Sequence, residues 1–324
     1  MMELAFLFPG QGSQRVGMGV ELAKNFVAAR RTFEEADDAL DFSLSHLCFE
    51  GPEEQLRLTA NTQPAMLAVA IAALRALQSE CEAGAKAGAG HSLGEYSALV
   101  AAGALDFGEA LRAVRERGRL MQQACPTGEG TMAALIGLDR AVVYEICREL
   151  STDGQIVVPA NLNGPGQIVV AGHTGAVRRA IDLARERGSS MAVELKVSAP
   201  FHCPLMVPAQ RGMTAVLDAI TVRPLAFGII PNVSAEINRD PERVKPLLLE
   251  QITAPVRWEE SMNALVGEGV AEAIEFGCGK VLAGLMRRIN RNIKVRAVED
   301  LASVKAAVET MTGAASRGAA QGGE

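Results

Sequence analysis

The sequence predicts an α/β protein in which a small βαββαβ unit is inserted into a larger core of strands and helices. Short apolar runs such as Leu4–Phe8 are typical of buried strands, and they alternate with longer segments of helical periodicity. Between residues 128 and 198 the order changes to strand, helix, strand, strand, helix, strand. The earlier alternation then returns, with a late strand at Ala273–Phe276.

The first part of the chain has clear signals for element ends. A Gly-rich polar loop follows Pro9. Asp106 with Glu109 three residues later is typical of a helix N-terminus, and Pro126 ends that helix. Ala83–Gly90 has poor β-propensity, yet the motif after it requires a strand. The predicted elements are strands at Leu4–Phe8 and Ala83–Gly90, and helices at Val20–Phe26, Pro64–Gln78, from Ser92 to about Ala102, and from Asp106 to about Cys125.

The middle segment has the element order of a ferredoxin-like unit. Its predicted elements are Thr131–Ile136, Arg140–Leu150, Ile156–Ala160, Ile168–Ala171, Thr174–Arg187 and Met191–Val197, with Asn163–Gly166 in a loop. We therefore divide the chain into a discontinuous core domain, 1–127 and 199–312, and a subdomain, 128–198. A helix over about 203–219 and a strand at Ala226–Pro231 follow. The Ala- and Gly-rich segment 313–324 is predicted to be a disordered tail.

The composition excludes several classes of protein. The chain has 324 residues, 48% of them hydrophobic, and a net charge of −6, which argues against a general nucleic-acid binder. No apolar run approaches the roughly 20 residues that a membrane helix needs, so we expect no membrane association. The six cysteines form no C-x-x-C pair and no metal-ligand spacing with the four histidines. We therefore expect free thiols, a cytoplasmic location and no metal site.

The strongest chemical signal is Gly90-His91-Ser92-Leu93-Gly94, a G-x-S-x-G nucleophile elbow. Glycines suit it because the strand-to-helix turn is tight, and the turn exposes the serine hydroxyl at a helix N-terminus. The free N–H groups there favour a developing negative charge. The alternative is a Gly-rich turn with a helix-capping serine.

A serine nucleophile needs a base within hydrogen-bond reach, and His202 is the best candidate. His91 adjoins the serine on the wrong side of the turn, His46 lies in a polar stretch, and His173 lies at a strand-to-helix turn. His202 follows a predicted strand and a proline and opens a helix. The alternative is an ordinary helix-start residue, and the sequence shows no evident third acid.

Helical periodicity places Arg117 in the middle of an apolar face, whereas Arg112, Arg115 and Arg119 fall on the opposite face. A buried guanidinium is costly unless an anion meets it. Arg117 is therefore a candidate for a bidentate contact with a substrate carboxylate. The alternative is a structural partner such as a nearby glutamate.

The loop Phe8–Gln14 follows the first strand and resembles a phosphate loop. It lacks the lysine of a P-loop and the G-x-G-x-x-G spacing. We interpret it as a loop whose backbone N–H approaches a reacting oxygen. The alternative is an ordinary turn at the end of a strand.

Together these motifs resemble the family of malonyl-CoA:acyl-carrier-protein transacylases, in order and over nearly the whole chain. The resembling segments are Phe8–Gln14, Gly90–Ala98, Arg117–Gln122, Asn161–Asn163, Pro200–Cys203, Pro231–Val233, Gln251 with Pro255–Trp258, Glu275–Gly277 and Gly279–Leu282. The family fold is a hydrolase-like parallel-sheet core with a ferredoxin-like insert, which agrees with the predicted pattern.

The resemblance implies a role for each matching residue. Ser92 is the nucleophile, His202 its base, and Arg117 the residue that holds the malonyl carboxylate. The backbone N–H groups of Gln11 and Leu93 form the oxyanion hole. The resemblance also places Gln251, Asn161, Asn163 and Phe201 at the substrate site. Gln251 matches a residue near the catalytic histidine, which in this family is oriented without a carboxylate. In polyketide acyltransferases phenylalanine at the Phe201 position goes with malonyl and serine with methylmalonyl, since the ring fills the space of an α-methyl group.

The implied activity is transfer of a malonyl group from malonyl-CoA to acyl carrier protein, without a cofactor, by a monomer in fatty acid biosynthesis. Three alternatives remain. The enzyme could serve a polyketide synthase as a stand-alone acyltransferase or acyl hydrolase. It could be an α/β-hydrolase esterase, in which a buried arginine would be unexplained. It could also be a non-catalytic module that binds carrier protein, which would not need both Ser92 and His202.

Overall fold

The computed structural model describes residues 3–152 and 154–321, the last nine of these by their backbone alone. The strands are β1 (Leu4–Phe8), β2 (Ala87–Gly90), β3 (Gly130–Ile136), β4 (Val157–Gly164), β5 (Gln167–His173), β6 (Met191–Glu194), β7 (Gly228–Ile230), β8 (Glu272–Phe276) and β9 (Lys294–Val298). The α-helices are α1 (Val20–Asn25), α2 (Val27–Leu40), α3 (Leu44–Glu50), α4 (Glu53–Leu56), α5 (Thr59–Glu80), α6 (Gly94–Ala101), α7 (Phe107–Gln123), α8 (Arg140–Leu150), α9 (Thr174–Glu186), α10 (Val207–Asp218), α11 (Val244–Gln251), α12 (Trp258–Gly267), α13 (Val281–Ile289) and α14 (Leu301–Gln321). Short 3₁₀ helices lie at Pro204–Met206 and Pro241–Arg243.

The core is a parallel five-stranded sheet in the order β7-β2-β1-β8-β9. Every residue of the central strand β1 is buried. Phe6 and Phe8 pack into the apolar cluster that includes α5, whereas Ala5 and Leu7 pack against Trp258 on the other face. Helices therefore cover both faces of the sheet, as parallel sheets require.

The strand before the elbow is shorter than the sequence predicts. β2 begins at Ala87 instead of Ala83, because residues 83–86 lie at or near the surface before the chain enters the sheet. Its small residues have a packing reason, since a Cβ added at Gly88 would lie 2.9 Å from the ring of Phe227. Sheet position therefore overrides the poor β-propensity of this segment.

The inserted unit has the predicted βαββαβ order. Its four strands form an antiparallel sheet in the order β4-β5-β3-β6. Asn163 and Gly164 belong to β4, so the predicted loop there was wrong by two residues and the turn is reduced to Pro165-Gly166. The boundaries at 128 and 198 stay predictions.

Backbone hydrogen bonds join the antiparallel sheet to the core. The Leu162 N–H donates to the carbonyl of Val256, and the Val256 N–H donates to the carbonyl of Ala160, both at 2.8 Å. Strand β4 therefore packs against the core at Val256, and Asn163 near its end contacts His91, the residue after β2.

The C-terminal segment contains the last helix. Helix α14 is described to Gln321, and the disordered tail expected for 313–324 stays a prediction. The segment is rich in alanine, which has the highest helix propensity. The prediction for residues 322–324 lies outside the described residues.

Candidate active site

Ser92 lies on the sharp turn between β2 and α6, with a φ of 54°. This left-handed conformation is uncommon for a residue other than glycine and is typical of strained functional turns. A Cβ at Gly90 would lie 1.9 Å from the carbonyl carbon of Gly94, and a Cβ at Gly94 would lie 2.1 Å from the carbonyl oxygen of Phe8. The turn therefore has no room for a side chain at either glycine of the motif, as the motif predicts.

His202 lies beside this serine although 110 residues separate them in the chain. Its Nε2 is 2.7 Å from Ser92 Oγ, and its Nδ1 is 2.8 Å from the backbone carbonyl oxygen of Gln251. Because a carbonyl oxygen only accepts, Nδ1 bears the proton and Nε2 is free to accept from the serine hydroxyl. The tautomer is the one that a general base needs.

The charge state of His202 also suits a base. Burial and the neighbouring charge of Arg117 lower its pKa to about 3, so the imidazole is neutral at physiological pH. The orienting group is a backbone carbonyl, which accounts for the missing acid in the sequence. His46 is exposed, and His173 Nδ1 accepts a hydrogen bond from the Ile156 N–H.

Arg117 lies on α7 and is only 1% exposed. Its Nη1 donates to Gln63 Oε1 at 2.8 Å, and its Nη2 donates to Gln251 Oε1 at 2.8 Å and to Ser92 Oγ at 3.2 Å. The buried Nε has no acceptor in the described structure. Burial lowers the pKa of this guanidinium.

These contacts bear on the two interpretations of the buried arginine. No carboxylate in the described part of the chain forms an ion pair with Arg117, and the buried Glu95 acts on it only electrostatically and through the Gln251 amide. The alternative of a directly paired structural glutamate therefore has no support. A desolvated cation with an unused donor, beside a serine hydroxyl, is a site for an anion.

A buried polar network surrounds the elbow. The side chain of Asn232 accepts from the Ser92 N–H and donates to the carbonyl of Gly90, both at 2.7 Å. The carboxylate of Glu95 accepts from the Asn232 N–H at 2.9 Å and from Gln251 Nε2 at 2.8 Å. Burial raises the pKa of Glu95 to about 7, although both hydrogen bonds and Arg117 oppose that shift.

Sequence reasoning gave no role to Gln63, Glu95 or Asn232. A signal existed for Glu95 alone, since it is the one charged residue of α6, which is otherwise uncharged and almost wholly buried. Gln63 and Asn232 lie in α5 and after β7, far from the serine in sequence, and only the fold brings them to it.

The predicted oxyanion donors lie at the ends of β1 and β2. Neither the Gln11 N–H nor the Leu93 N–H has an acceptor in the hydrogen bonds of the described residues. The Gly-rich loop approaches the elbow closely, because a Cβ at Gly10 would lie 2.7 Å from the carbonyl oxygen of His91. Both donors are therefore free to meet a reacting oxygen; their pairing in an oxyanion hole stays a prediction.

A cavity of about 500 Å³ opens over Ser92, between the core and the antiparallel sheet. Asn161, Asn163 and Phe201 line it, and Asn163 Oδ1 lies 2.9 Å from His91 Nε2. Gln11 and Arg117 also line this cavity, with Arg57 and Lys196 on the wall. Leu93 and Gln251, which are also predicted for the substrate site, are fully buried and do not line it. Among the described residues no group of three or more His, Cys, Asp or Glu could hold a metal ion, and no helix is long and apolar enough to span a membrane.

Comparison with known proteins places this chain in a family. The model of the acyl transferase domain family matches residues 5–307. The chain belongs to this family. A malonyl CoA-acyl carrier protein transacylase of Bacillus subtilis is 47% identical over 313 residues, which are 96% of this chain and 98% of that protein.

Two solved acyltransferase structures show the same fold. The acyl-carrier-protein S-malonyltransferase of Bartonella henselae has a TM-score of 0.93 and 46% identity, over 96% of this chain and 100% of that chain. A malonyl-transacylase in complex with a holo acyl carrier protein of a type II polyketide synthase has a TM-score of 0.92 and 44% identity, over 95% and 99%. These neighbours confirm the predicted fold class of this acyltransferase, a hydrolase-like parallel-sheet core with a ferredoxin-like insert.

Proposed function

We propose that this acyltransferase moves a malonyl group from malonyl-CoA to the phosphopantetheine thiol of acyl carrier protein, through an ester on Ser92. Relatives of nearly equal length that are named malonyl CoA-acyl carrier protein transacylases support the proposal. The observation on which it rests most is Arg117, a buried cation 3.2 Å from the Ser92 hydroxyl that forms no ion pair with any described residue.

The site residues account for each step of a ping-pong reaction. Ser92 Oγ attacks the thioester carbonyl as His202 Nε2 takes its proton, and the N–H groups of Gln11 and Leu93 meet the developing oxyanion. The C–S bond breaks, and coenzyme A leaves as a thiol with the proton from His202. The carrier thiol then attacks the ester with its proton taken by His202, and Ser92 regains that proton.

Arg117 selects the acyl group. The malonyl carboxylate is one methylene from the ester carbonyl, so a guanidinium next to Oγ can reach it. Pairing the carboxylate there offsets the cost of desolvating a charged acyl group beside the buried guanidinium.

We expect Arg117→Ala to lose malonyl transfer sharply while acetyl transfer is retained. Removing the guanidinium leaves the malonyl carboxylate buried and unpaired, which costs roughly 3–5 kcal/mol, or about 10²–10³ in kcat/KM or more. Acetyl-CoA has no carboxylate and avoids that penalty. The measurement is kcat/KM with both donors, together with a thermal melt.

Arg119→Ala is the matched control, since Arg119 lies on the exposed face of the same helix and pairs with Glu116. It should leave the ratio of the two donors unchanged. Equal losses of malonyl and acetyl transfer in Arg117→Ala, with a lowered melting temperature, would assign Arg117 a structural role instead.

The depressed pKa of His202 predicts an unusual pH profile. An ordinary histidine base loses activity as pH falls through about 6.5. With a pKa of about 3, the neutral form of His202 persists far below that point. The neighbouring Glu95 carboxyl has a pKa of about 7 and would titrate in the same range, so the test uses Glu95→Gln, which removes it. In this variant the rate of acyl-enzyme formation should stay constant from pH 8 to pH 5. A fall with an apparent pKa near 6.5 would contradict this environment for His202.

Carrier protein would dock near the mouth of the cavity. Val281, Leu282 and Leu285 of α13 line the cavity, and a group of exposed basic residues surrounds the same helix, namely Lys280, Arg287, Arg288 and Arg291. An acidic protein that binds an acidic partner needs such a local basic patch. The monomeric state stays a proposal, and six free cysteines support a reducing, cytoplasmic location.

A polyketide pathway is the second candidate, because one solved relative is bound to a type II polyketide carrier protein. The two pathways share the reaction and differ in the carrier. Comparing kcat/KM for carrier proteins of the two types separates them, and the ratio of transfer to thiol over water separates a transferase from an acyl hydrolase.

A further inference from the structure

Glu95 is a buried carboxylate that the steps above leave unused. It lies in the first turn of α6 and is 2% exposed. Its Oε2 accepts two hydrogen bonds, and it forms no ion pair with a cation in the described structure. Burying a carboxylate without a cation is costly unless hydrogen bonds satisfy it. The two groups that donate to Glu95 are therefore held in one orientation by these bonds.

One of those donors is the side-chain amide of Gln251. Its Nε2 donates to Glu95 and, at 2.9 Å, to the backbone carbonyl of Ser92. Its Oε1 accepts from Arg117. Turning the amide over would place Nε2 against the Arg117 donors and Oε1 against two acceptors, so Glu95 and Arg117 together allow one orientation.

The Arg117 guanidinium depends on that orientation. Gln63 and Gln251 are its two amide acceptors, on Nη1 and Nη2, and they hold the fork beside Ser92. Only Gln251 is fixed in turn by a carboxylate. A chain of hydrogen bonds therefore runs from Glu95 through Gln251 to Arg117.

We propose that Glu95 is a positioning residue that fixes the Gln251 amide and, through it, the Arg117 guanidinium, so that Glu95 sets the preference for acyl groups that bear a carboxylate. This inference rests on the proposed function. It assigns Glu95 no contact with the substrate. A second route leads from Glu95 to the backbone of Asn232 and on to the Ser92 N–H. Since that route acts on the nucleophile, it would affect every acyl donor alike.

The test compares malonyl-CoA and acetyl-CoA as donors for Glu95→Leu and Glu95→Gln. Leucine removes the acceptor for Gln251, and we expect the malonyl-to-acetyl ratio of kcat/KM to fall about 10–10²-fold, as for a misplaced binding group. Glutamine keeps an acceptor oxygen, so Glu95→Gln should retain the wild-type ratio. Thermal melts show whether each variant is folded.

The Arg117→Ala background supplies the decisive control. If Glu95 acts through Arg117, adding Glu95→Leu to Arg117→Ala should change malonyl transfer no more than it changes acetyl transfer. If Glu95→Leu alone lowers transfer from both donors equally, or changes neither, the malonyl-to-acetyl ratio keeps its wild-type value and the proposal is overturned. It is also overturned if Glu95→Leu causes the same malonyl-specific loss when it is added to Arg117→Ala.

Gln251→Leu keeps the test decisive where Glu95→Leu does not fold. It removes the amide but retains the backbone carbonyl that bonds to His202. The proposal expects the same fall in the malonyl-to-acetyl ratio, and an unchanged ratio overturns it. If the wild-type protein transfers malonyl and the variants keep its malonyl-to-acetyl ratio, this inference alone is refuted. If the wild-type protein does not transfer malonyl, the proposed function is refuted.

Discussion

Ser92→Ala is expected to reduce malonyl transfer by about 10⁴-fold or more, the largest effect of any single substitution in this protein. The hydroxyl is the atom that forms the ester, and no other nucleophile lies within hydrogen-bond reach of His202 Nε2 in the described contacts. The measurement is steady-state transfer from malonyl-CoA to holo acyl carrier protein. Transfer at a rate near that of the wild type would exclude a serine ester as the intermediate.

Ser97→Ala is the matched control for that substitution. Ser97 lies in α6, shortly after the turn that holds Ser92, and its buried hydroxyl has no hydrogen-bond partner in the described structure. Removing it deletes the same kind of atom without breaking a described hydrogen bond. Transfer by Ser97→Ala should therefore stay close to the wild-type rate, and the fold should be unaffected.

His202→Ala should slow formation of the acyl-enzyme by about 10²–10⁴-fold, the usual contribution of a positioned base. The serine hydroxyl would keep its contact with Arg117, a donor that cannot accept its proton. Single-turnover acylation by malonyl-CoA at neutral pH measures the effect. His46→Ala, at an exposed histidine, is the control and should react normally.

Near-normal acylation in His202→Ala would show that another base serves Ser92. His91 is the neighbour to examine in that event, since it adjoins the serine in the chain. Its Nε2 is engaged with Asn163, and burial lowers its pKa. The structure therefore gives His91 no path to the Ser92 hydroxyl comparable with the 2.7 Å contact of His202.

Local patterns account for the parts of the fold that the sequence predicted well. Strand β1 and helix α8 have the predicted bounds, Leu4–Phe8 and Arg140–Leu150. The side chain of Asp106 accepts from the Glu109 N–H, as predicted for the start of α7. The 100° periodicity of α7 also placed Arg117 on the buried face of the helix, because the spacing of apolar residues along a helix indicates which face is buried.

Elements that depend on distant partners were harder to predict. The strand β9, Lys294–Val298, was missed because it is short and alternates with charges, and only its pairing with β8 makes it a strand. Helix α5 begins at Thr59 rather than at Pro64, because the N–H groups of Asn61 and Thr62 donate to the Leu58 carbonyl and close a helical turn before the proline. Proline therefore marks the first turn of a helix only where the residues before it do not themselves form a helical turn.

The site shows the same division between local and distant signals. Ser92 and His202 were predictable as residue types, yet their 2.7 Å contact joins two segments that only the fold brings together. The group that orients His202 is a backbone carbonyl at Gln251, and no sequence pattern can reveal it because every residue has one. The links from Glu95 to Gln251 and Arg117 join three helices.

The central claim is a malonyl ester on Ser92, and intact-protein mass spectrometry after mixing with malonyl-CoA tests it most directly. We predict a gain of one malonyl group, located on the Ser92 peptide by fragmentation and lost when holo acyl carrier protein is added. Ser92→Ala should gain no mass. An unmodified wild-type protein, an adduct on another residue, or an adduct that persists in Ser92→Ala would contradict the account.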